Sequence, residues 1–221
     1  MKKPPRSQRG EAPPAETRRK ILEAALREFA EEGYAGARTD HIARAARVNI
    51  ALLFYYFKSK DQLYGAVLEK IFADWNAAVL KHLERGGDPK QKILEFVSEY
   101  FEFVAAAPVR PRLVQQEMMR RGRSGSRHIR TLAQKYIQPV HRRMREVIQQ
   151  GIRSGALRRM DAEHAAYSIT AVINSYFANS PLITILGGRD PLAPSAVRQR
   201  KREVLRFLQN ALFRQRGRGR R

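Results

Sequence analysis

The sequence predicts an all-α fold of about nine helices, and three observations predict it. Apolar residues recur every three or four positions along most of the chain, which gathers them on one face of a helix. Capping residues, glycines and prolines fall between those periodic stretches. No stretch alternates apolar and polar residues as a half-buried strand does, and no segment repeats.

Each element follows from its own residues. From Thr17, an apolar stripe of Ile21, Leu22, Ala25, Leu26 and Phe29 runs to a stop at Gly33. A short helix, Thr39 to Ala46, has Thr39 as its expected N-cap. Asn49 suits the N-cap of a second short helix, Ile50–Tyr56. Ser59 caps a long helix that carries Leu63, Val67, Ile71, Trp75 and Leu80 towards Gly86. Asp88 and Pro89 start the next, since proline is tolerated in a first turn. It carries Ile93, Val97, Tyr100, Phe101 and Val104 and ends near Pro108. Pro111 is expected to open a helix through Leu113, Met118 and Met119 that stops in the run RRGRSGSR. A long helix from about His128 to Ser154 has Pro139 as its expected kink. Asp161 caps a helix through Ala165, Tyr167, Ile169, Val172, Ile173 and Phe177. After the loop GGRDPLAP, a final helix runs from Ser195 to about Phe213 on Val197, Val204, Leu205, Leu208 and Leu212.

Composition narrows the function. The chain has 221 residues, 43 Lys and Arg against 21 Asp and Glu, a net charge of +22 and no cysteine. The missing cysteines exclude a disulfide scaffold, a Cys-ligated zinc finger and a thiol nucleophile. No apolar run approaches the ~20 residues of a transmembrane helix, and the basic N-terminus leads into prolines and not an apolar segment. The chain is therefore expected to be cytoplasmic, with no membrane partner. The positive excess points to a polyanion, most simply nucleic acid. Residues 1–15 and 215–221 read as disordered basic arms, since neither buries enough apolar surface to offset its ordering entropy. The charge is uneven. Residues 16–58 hold eight bases and six acids, whereas 110–160 hold fourteen bases and two acids.

The informative stretch runs from Arg38 to Lys60. Two short helices joined by a tight turn make a helix-turn-helix, pinned by Ile42, Ala43 and Ala46 on one side and Leu53 and Phe57 on the other. The first helix lays Ile21, Leu22, Ala25 and Phe29 over them, and the second short helix is left to enter a major groove. From Thr17 to Leu63 the chain resembles the N-terminal domain of the TetR/AcrR family of bacterial transcriptional regulators. The matching parts are TRRKILEAALREFAEEGY, then T-x-x-I-A-x-x-A, then the ending Tyr55-Tyr56-Phe57-Lys58-Ser59-Lys60-Asp61-Gln62-Leu63. Beyond Leu63 the likeness is one of helical architecture.

The resemblance implies roles. Thr39 would offer hydroxyl and amide to a phosphate. Tyr55, Tyr56 and Lys60 would contact backbone phosphate. Asn49, Ile50, Ala51, Leu52 and Phe54 would face the groove, with Arg44 beside them. Three departures stand out: Arg47 where the family has glycine, Leu52 where threonine is common, and Phe54 where tyrosine is common. Arg47 must then accept an unfavourable backbone, and the two lost hydroxyls leave thymine methyl groups as apolar targets. The resemblance also implies domains at 16–60 for DNA binding and 61–214 for ligand binding and dimerisation. The implied inducer pocket draws on Phe96, Tyr100, Phe103, Met118, Tyr136, Asn174 and Phe177. The last two helices, rich in small residues, are expected to form a two-fold four-helix bundle.

No catalytic set emerges. The five histidines are scattered, with no carboxylate at metal-ligand spacing, and no phosphate-binding Gly loop is present. No cofactor, no metal and no enzymatic activity are expected. The reading is a homodimeric repressor of a palindromic double-stranded DNA operator, released by an unknown small-molecule inducer. The alternatives are a nonspecific nucleic-acid or nucleoid-associated protein, and a basic peripheral membrane protein.

Overall fold

A computed structural model describes residues 14–119 and 127–214. Their order is α1 (Pro14–Gly36), α2 (Thr39–Ala45), α3 (Ile50–Phe57), α4 (Lys60–Glu84), α5 (Pro89–Ala105), α6 (Val109–Met119), α7 (Arg127–Leu132), a π-helical turn (Ala133–Ile137), α8 (Gln138–Arg153), α9 (Ala162–Ala178), α10 (Ser180–Gly187) and α11 (Pro194–Leu212). The β structure among the described residues is one isolated antiparallel bridge between Leu157 and Phe213. The protein is all-α, as its periodicity predicts. The tail at 215–221, the stop within 120–126 and residues 1–13 of the N-terminal arm lie outside the described residues. Pro14 and Ala15, grouped with that arm by composition, are instead the first residues of α1. Proline's fixed φ suits a first helical turn.

Local chemistry sets most boundaries. Gly33 leaves helical geometry inside α1 at φ 68° and ψ 175°, a conformation only glycine adopts cheaply. The Asn49, Ser59, Asp88 and Asp161 side chains each accept from a first-turn amide at 2.7–3.2 Å. Thr39 is not an N-cap. Arg38 holds that position with an extended backbone, and its amide donates at 2.9 Å to Glu28 of α1. Pro111 does not open its helix, because α6 already starts at Val109. First-turn amides have no intrahelical acceptor, so proline there costs no bond.

The kink expected at Pro139 takes the form of the π-helical turn just before it. Proline lacks the N–H that Lys135 would receive four residues back, and its ring crowds that carbonyl. The widened turn relieves the crowding. The Tyr136 carbonyl there accepts the Asn76 side-chain amide of α4 at 3.0 Å. The segment 180–187, for which the periodicity gives no assignment, is helical. Pro181 lies in its first turn, and Gly188 closes it in the left-handed conformation at φ 63°.

Contacts divide the chain into two units, one ending at Leu68 and one starting at Glu69. In the first unit, Ile21, Leu22, Ala25 and Phe29 of α1 are buried with Ile42 and Ala43 of α2, Leu53 and Phe57 of α3, and Leu63 and Tyr64. The Phe29 and Tyr64 rings meet edge to face at 4.8 Å. In the second unit, Val79 and Leu83 join Ile93, Phe96, Val97 and Phe101 of α5, Val140, Met144, Val147 and Ile148 of α8, Ile169, Ile173 and Phe177 of α9, and Val204 and Leu208 of α11. Gly151 permits the closest approach, since a Cβ there would collide with the Leu157 side chain. The Leu157–Phe213 bridge fastens the end of α11 to the turn after α8, with Arg158 donating to the Leu212 carbonyl at 2.9 Å. Among the described residues, no single helix is long and apolar enough to cross a membrane.

Candidate nucleic-acid interface and inner cavity

The sequence of α3, IALLFYYF, has no charged residue, yet the helix is sided. Leu53 and Phe57, four positions apart, are buried against α1 and α2. The other side carries Ile50, Ala51 and Tyr55, all exposed; Tyr55 keeps 63% of its surface free. Leu52, Phe54 and Tyr56 lie between, partly buried. An apolar helix start left in water is costly unless something covers it. Asn49 sits at that start. Its Oδ1 accepts the Leu52 amide at 2.7 Å, a bond that does not use its NH₂ group.

The turn before α3 is tight. The Arg47 amide donates to Arg44 at 3.1 Å and the Val48 amide to Ala43 at 3.0 Å. This is a Schellman closure of α2, which demands a left-handed residue at position 47. Arg47 meets the demand at φ 56°. Its exposed side chain therefore lies beside the start of α3.

Cations ring this face. Arg38 forks onto Asp40 with two bonds of 3.1 Å, and Arg44 approaches the same carboxylate at 3.6 Å. The Arg38 guanidinium holds the Asp40 carboxyl below its usual pKa. Lys58 lies over the Tyr55 ring at 5.2 Å. Lys60 lies over Tyr34 at 5.1 Å and donates to the Ala35 carbonyl at 3.2 Å. Thr39 is partly buried in the first turn of α2. The structure thus brings the sequence-predicted residues Thr39, Arg44, Asn49, Ile50, Ala51, Leu52, Phe54, Tyr55, Tyr56 and Lys60 into one unit. Within it, Arg44 and Lys60 already hold protein partners.

The second unit contains a cavity of about 510 Å³ walled by α4, α5, α6, α8 and α9. Of the predicted pocket residues, Phe96, Tyr100, Phe103, Met118 and Asn174 line it. Tyr136 and Phe177 do not. The Tyr136 hydroxyl donates to Glu69 at 3.2 Å, and Tyr136 is not among the residues that line the cavity. Phe177 packs edge to face on Phe101 at 5.2 Å in the core. Periodicity separates buried from exposed and cannot separate core from cavity wall. Sequence reasoning missed Trp75, Arg110, His141 and Met144, which also line the cavity. The chain's lone tryptophan, on α4, was the available signal for Trp75.

The walls are mostly apolar, with polar groups at a few points. The Tyr100 hydroxyl donates to Asn174 Oδ1 at 2.9 Å, and burial pushes the Tyr100 pKa up to about 12. Trp75 Nε1 is buried with no hydrogen-bond partner among the described residues. Arg110 stacks on Phe103 at 4.5 Å and donates from Nη1 to the Phe103 carbonyl at 3.1 Å. Burial holds the Arg110 guanidinium below its ordinary basicity, opposed by the charge of Asp74. The Tyr167 ring lies 4.5 Å from His141. Away from the cavity, α9 and α11 form a groove that includes Val172 and Phe207, and Phe207 is 60% exposed. Ile185 and Leu186 of α10 are more exposed still.

Comparison with known proteins follows the same division. Residues 21–67 match the family described as bacterial regulatory proteins, tetR family, and residues 89–208 match the tetracyclin repressor-like C-terminal domain. The HTH-type transcriptional repressor NicS of Pseudomonas putida is 31% identical over 166 residues, which is 74% of this chain and 76% of NicS. Among solved structures, the ketosteroid transcriptional regulator KstR2 of Mycobacterium tuberculosis superposes with a TM-score of 0.72 at 18% identity, covering 93% of this chain and 98% of that one. AibR, in complex with isovaleryl coenzyme A and operator DNA, gives a TM-score of 0.67 at 18% identity over 86% and 97% of the two chains. Both structures share the fold.

Proposed function

Because the chain belongs to the tetR family of bacterial regulatory proteins and is a DNA-binding transcriptional regulator, we propose that it is a homodimeric repressor of a palindromic operator, released by a small-molecule inducer. The observation that carries the reading is the outward face of α3. Ile50, Ala51 and Tyr55 stand in solvent behind the N-cap Asn49, an arrangement that gives no stability and suits a groove. Asn49 supplies a hydrogen-bond donor, and Ile50, Ala51 and Leu52 supply apolar contact for thymine methyls. Thr39, Tyr55, Tyr56 and Lys60 are the phosphate contacts, which fix register without reading sequence. Arg44 reaches DNA by exchanging Asp40 for a phosphate.

Exposed Phe207 and the groove along α9 and α11 support the dimer, because large apolar side chains left in water mark an interface. Two recognition helices then meet half-sites ~34–36 Å apart. The cavity is the inducer site, and α4 is the lever. The start of α4 holds Leu63 and Tyr64, and its middle carries Ile71 and Trp75 in the cavity wall. A ligand that prefers one setting of α4 shifts the population away from the operator-binding state. Ligand and DNA then weaken each other by the same factor.

Footprinting on the promoter region of its own gene tests the reading. A discrete palindromic protection is expected; uniform coating instead favours the nonspecific nucleic-acid reading, which the charge of +22 alone supports.

A further inference from the structure

We propose that the cavity of the second unit takes a small, largely apolar molecule bearing one carboxylate, anchored by Arg110. The proposal rests on the cavity as the inducer site and narrows it to a chemical class. The cavity lining includes one arginine and neither aspartate nor glutamate. That arginine is pre-set. Its stacking on Phe103 and its bond from Nη1 to the Phe103 carbonyl fix the plane of the guanidinium. The Nε–Nη2 edge is left with no hydrogen bond among the described residues. This edge offers two parallel N–H groups, which match the two oxygens of a carboxylate.

Among the described residues, no carboxylate is bonded to Arg110. Asp74, the acid whose charge reaches Arg110, is paired with Lys70 at 2.8 Å. A partly buried cation whose one nearby acid is shared with a lysine is costly, and an anionic ligand offsets that cost. Phe96, Phe103 and Met144 supply an apolar wall for the rest of the molecule. The volume of about 510 Å³ falls within the ~300–1,000 Å³ usual for small-molecule sites.

Trp75 is the chain's single tryptophan and lines the cavity, so its emission reports binding without DNA. The probes are octanoate and 4-cyclohexylbutanoate, each against its primary amide, with octyl phosphate as a third head group. At least one acid is expected to shift the emission saturably and to bind ten-fold or more tighter than its amide. Arg110→Gln is expected to erase that preference while leaving amide affinity unchanged, which also shows that the variant is folded. Arg110→Lys is expected to keep part of it. Amides that bind as well as acids, a preference that survives in Arg110→Gln, tighter binding of octyl phosphate, or no shift with either acid would overturn the proposal. Repeating the titrations with operator DNA separates the two ideas. An acid that binds through Arg110 and leaves DNA bound supports the ligand class and removes the inducer role. A neutral inducer indifferent to Arg110 does the reverse.

Discussion

The Val48 amide donates to the Ala43 carbonyl at 3.0 Å, and the bond closes only because Arg47 between them turns left-handed at φ 56°. An L-residue pays about 1–2 kcal/mol for that conformation.

Arg47→Gly is therefore expected to stabilise the first unit. Relief of the left-handed strain, less glycine's extra entropy in the unfolded chain, leaves about 0.5–1 kcal/mol. Urea unfolding of the full chain measures it as a higher midpoint at constant slope. If Arg47 also meets a phosphate, the same variant lowers the salt slope of DNA binding by about 1. A lowered midpoint contradicts the strain argument.

Asn49→Ala removes the cap of α3. The loss is expected to cost about 1 kcal/mol, with Asn49→Ser recovering most of it. Thermal unfolding separates this cost from DNA affinity. Asn49→Ser is expected to restore stability and not operator binding, because serine cannot supply the NH₂ group.

Much of this was legible in the sequence, and the misses have physical causes. Asn49, Ser59, Asp88 and Asp161 announce their caps because a short polar side chain before an apolar run has one favourable use. Thr39 imitates that signal, but Glu28, eleven residues earlier, takes the amide at Arg38. A partner from another helix is invisible to local reading. The stretch Leu182, Ile183, Ile185 and Leu186 shows no polar face, so its helix has no period to detect. Phe96 and Phe177 share one sequence signature, yet one lines the cavity and the other fills the core. The charge count pointed to nucleic acid, yet the interface candidates Ile50, Ala51 and Tyr55 carry no charge at all.

Tyr55→Ala is expected to leave stability unchanged, since the ring is largely in solvent. A hydrogen bond to a charged phosphate contributes about 1.5–3 kcal/mol, so binding falls about ten-fold or more. Phosphate contacts read no sequence, and operator and random DNA lose affinity alike. Gel-shift titration on both DNAs checks this. A loss confined to the operator contradicts the backbone role.

Phe207→Glu places a charge in the groove proposed to form the dimer bundle. The side chain is already 60% exposed, so the fold of a single chain has little to lose. Light scattering at micromolar concentration is expected to show the mass halved relative to the wild type. An unchanged dimer mass puts the interface elsewhere, and a monomeric wild type removes the dimer itself.

Tyr100 gives a test by pH. Burial raises its pKa to about 12, while the unfolded phenol titrates near 10. Below pH ~10 both states hold the proton, and the group adds no pH dependence. Between about 10 and 12 the unfolded chain has released it and the folded chain has not. Unfolding then becomes more favourable as pH rises, by about 1.4 kcal/mol per pH unit from this group. Above about 12 the folded phenol ionises too, and the loss levels off. Tyr100→Phe removes this slope. It also leaves Asn174 Oδ1 without its donor, at about 1 kcal/mol near neutral pH. The variant is thus expected to start below the wild type at pH 8 and to match or exceed it by pH 12. Urea midpoints at four or five pH values decide it, and parallel curves for the two proteins contradict the buried, protonated Tyr100.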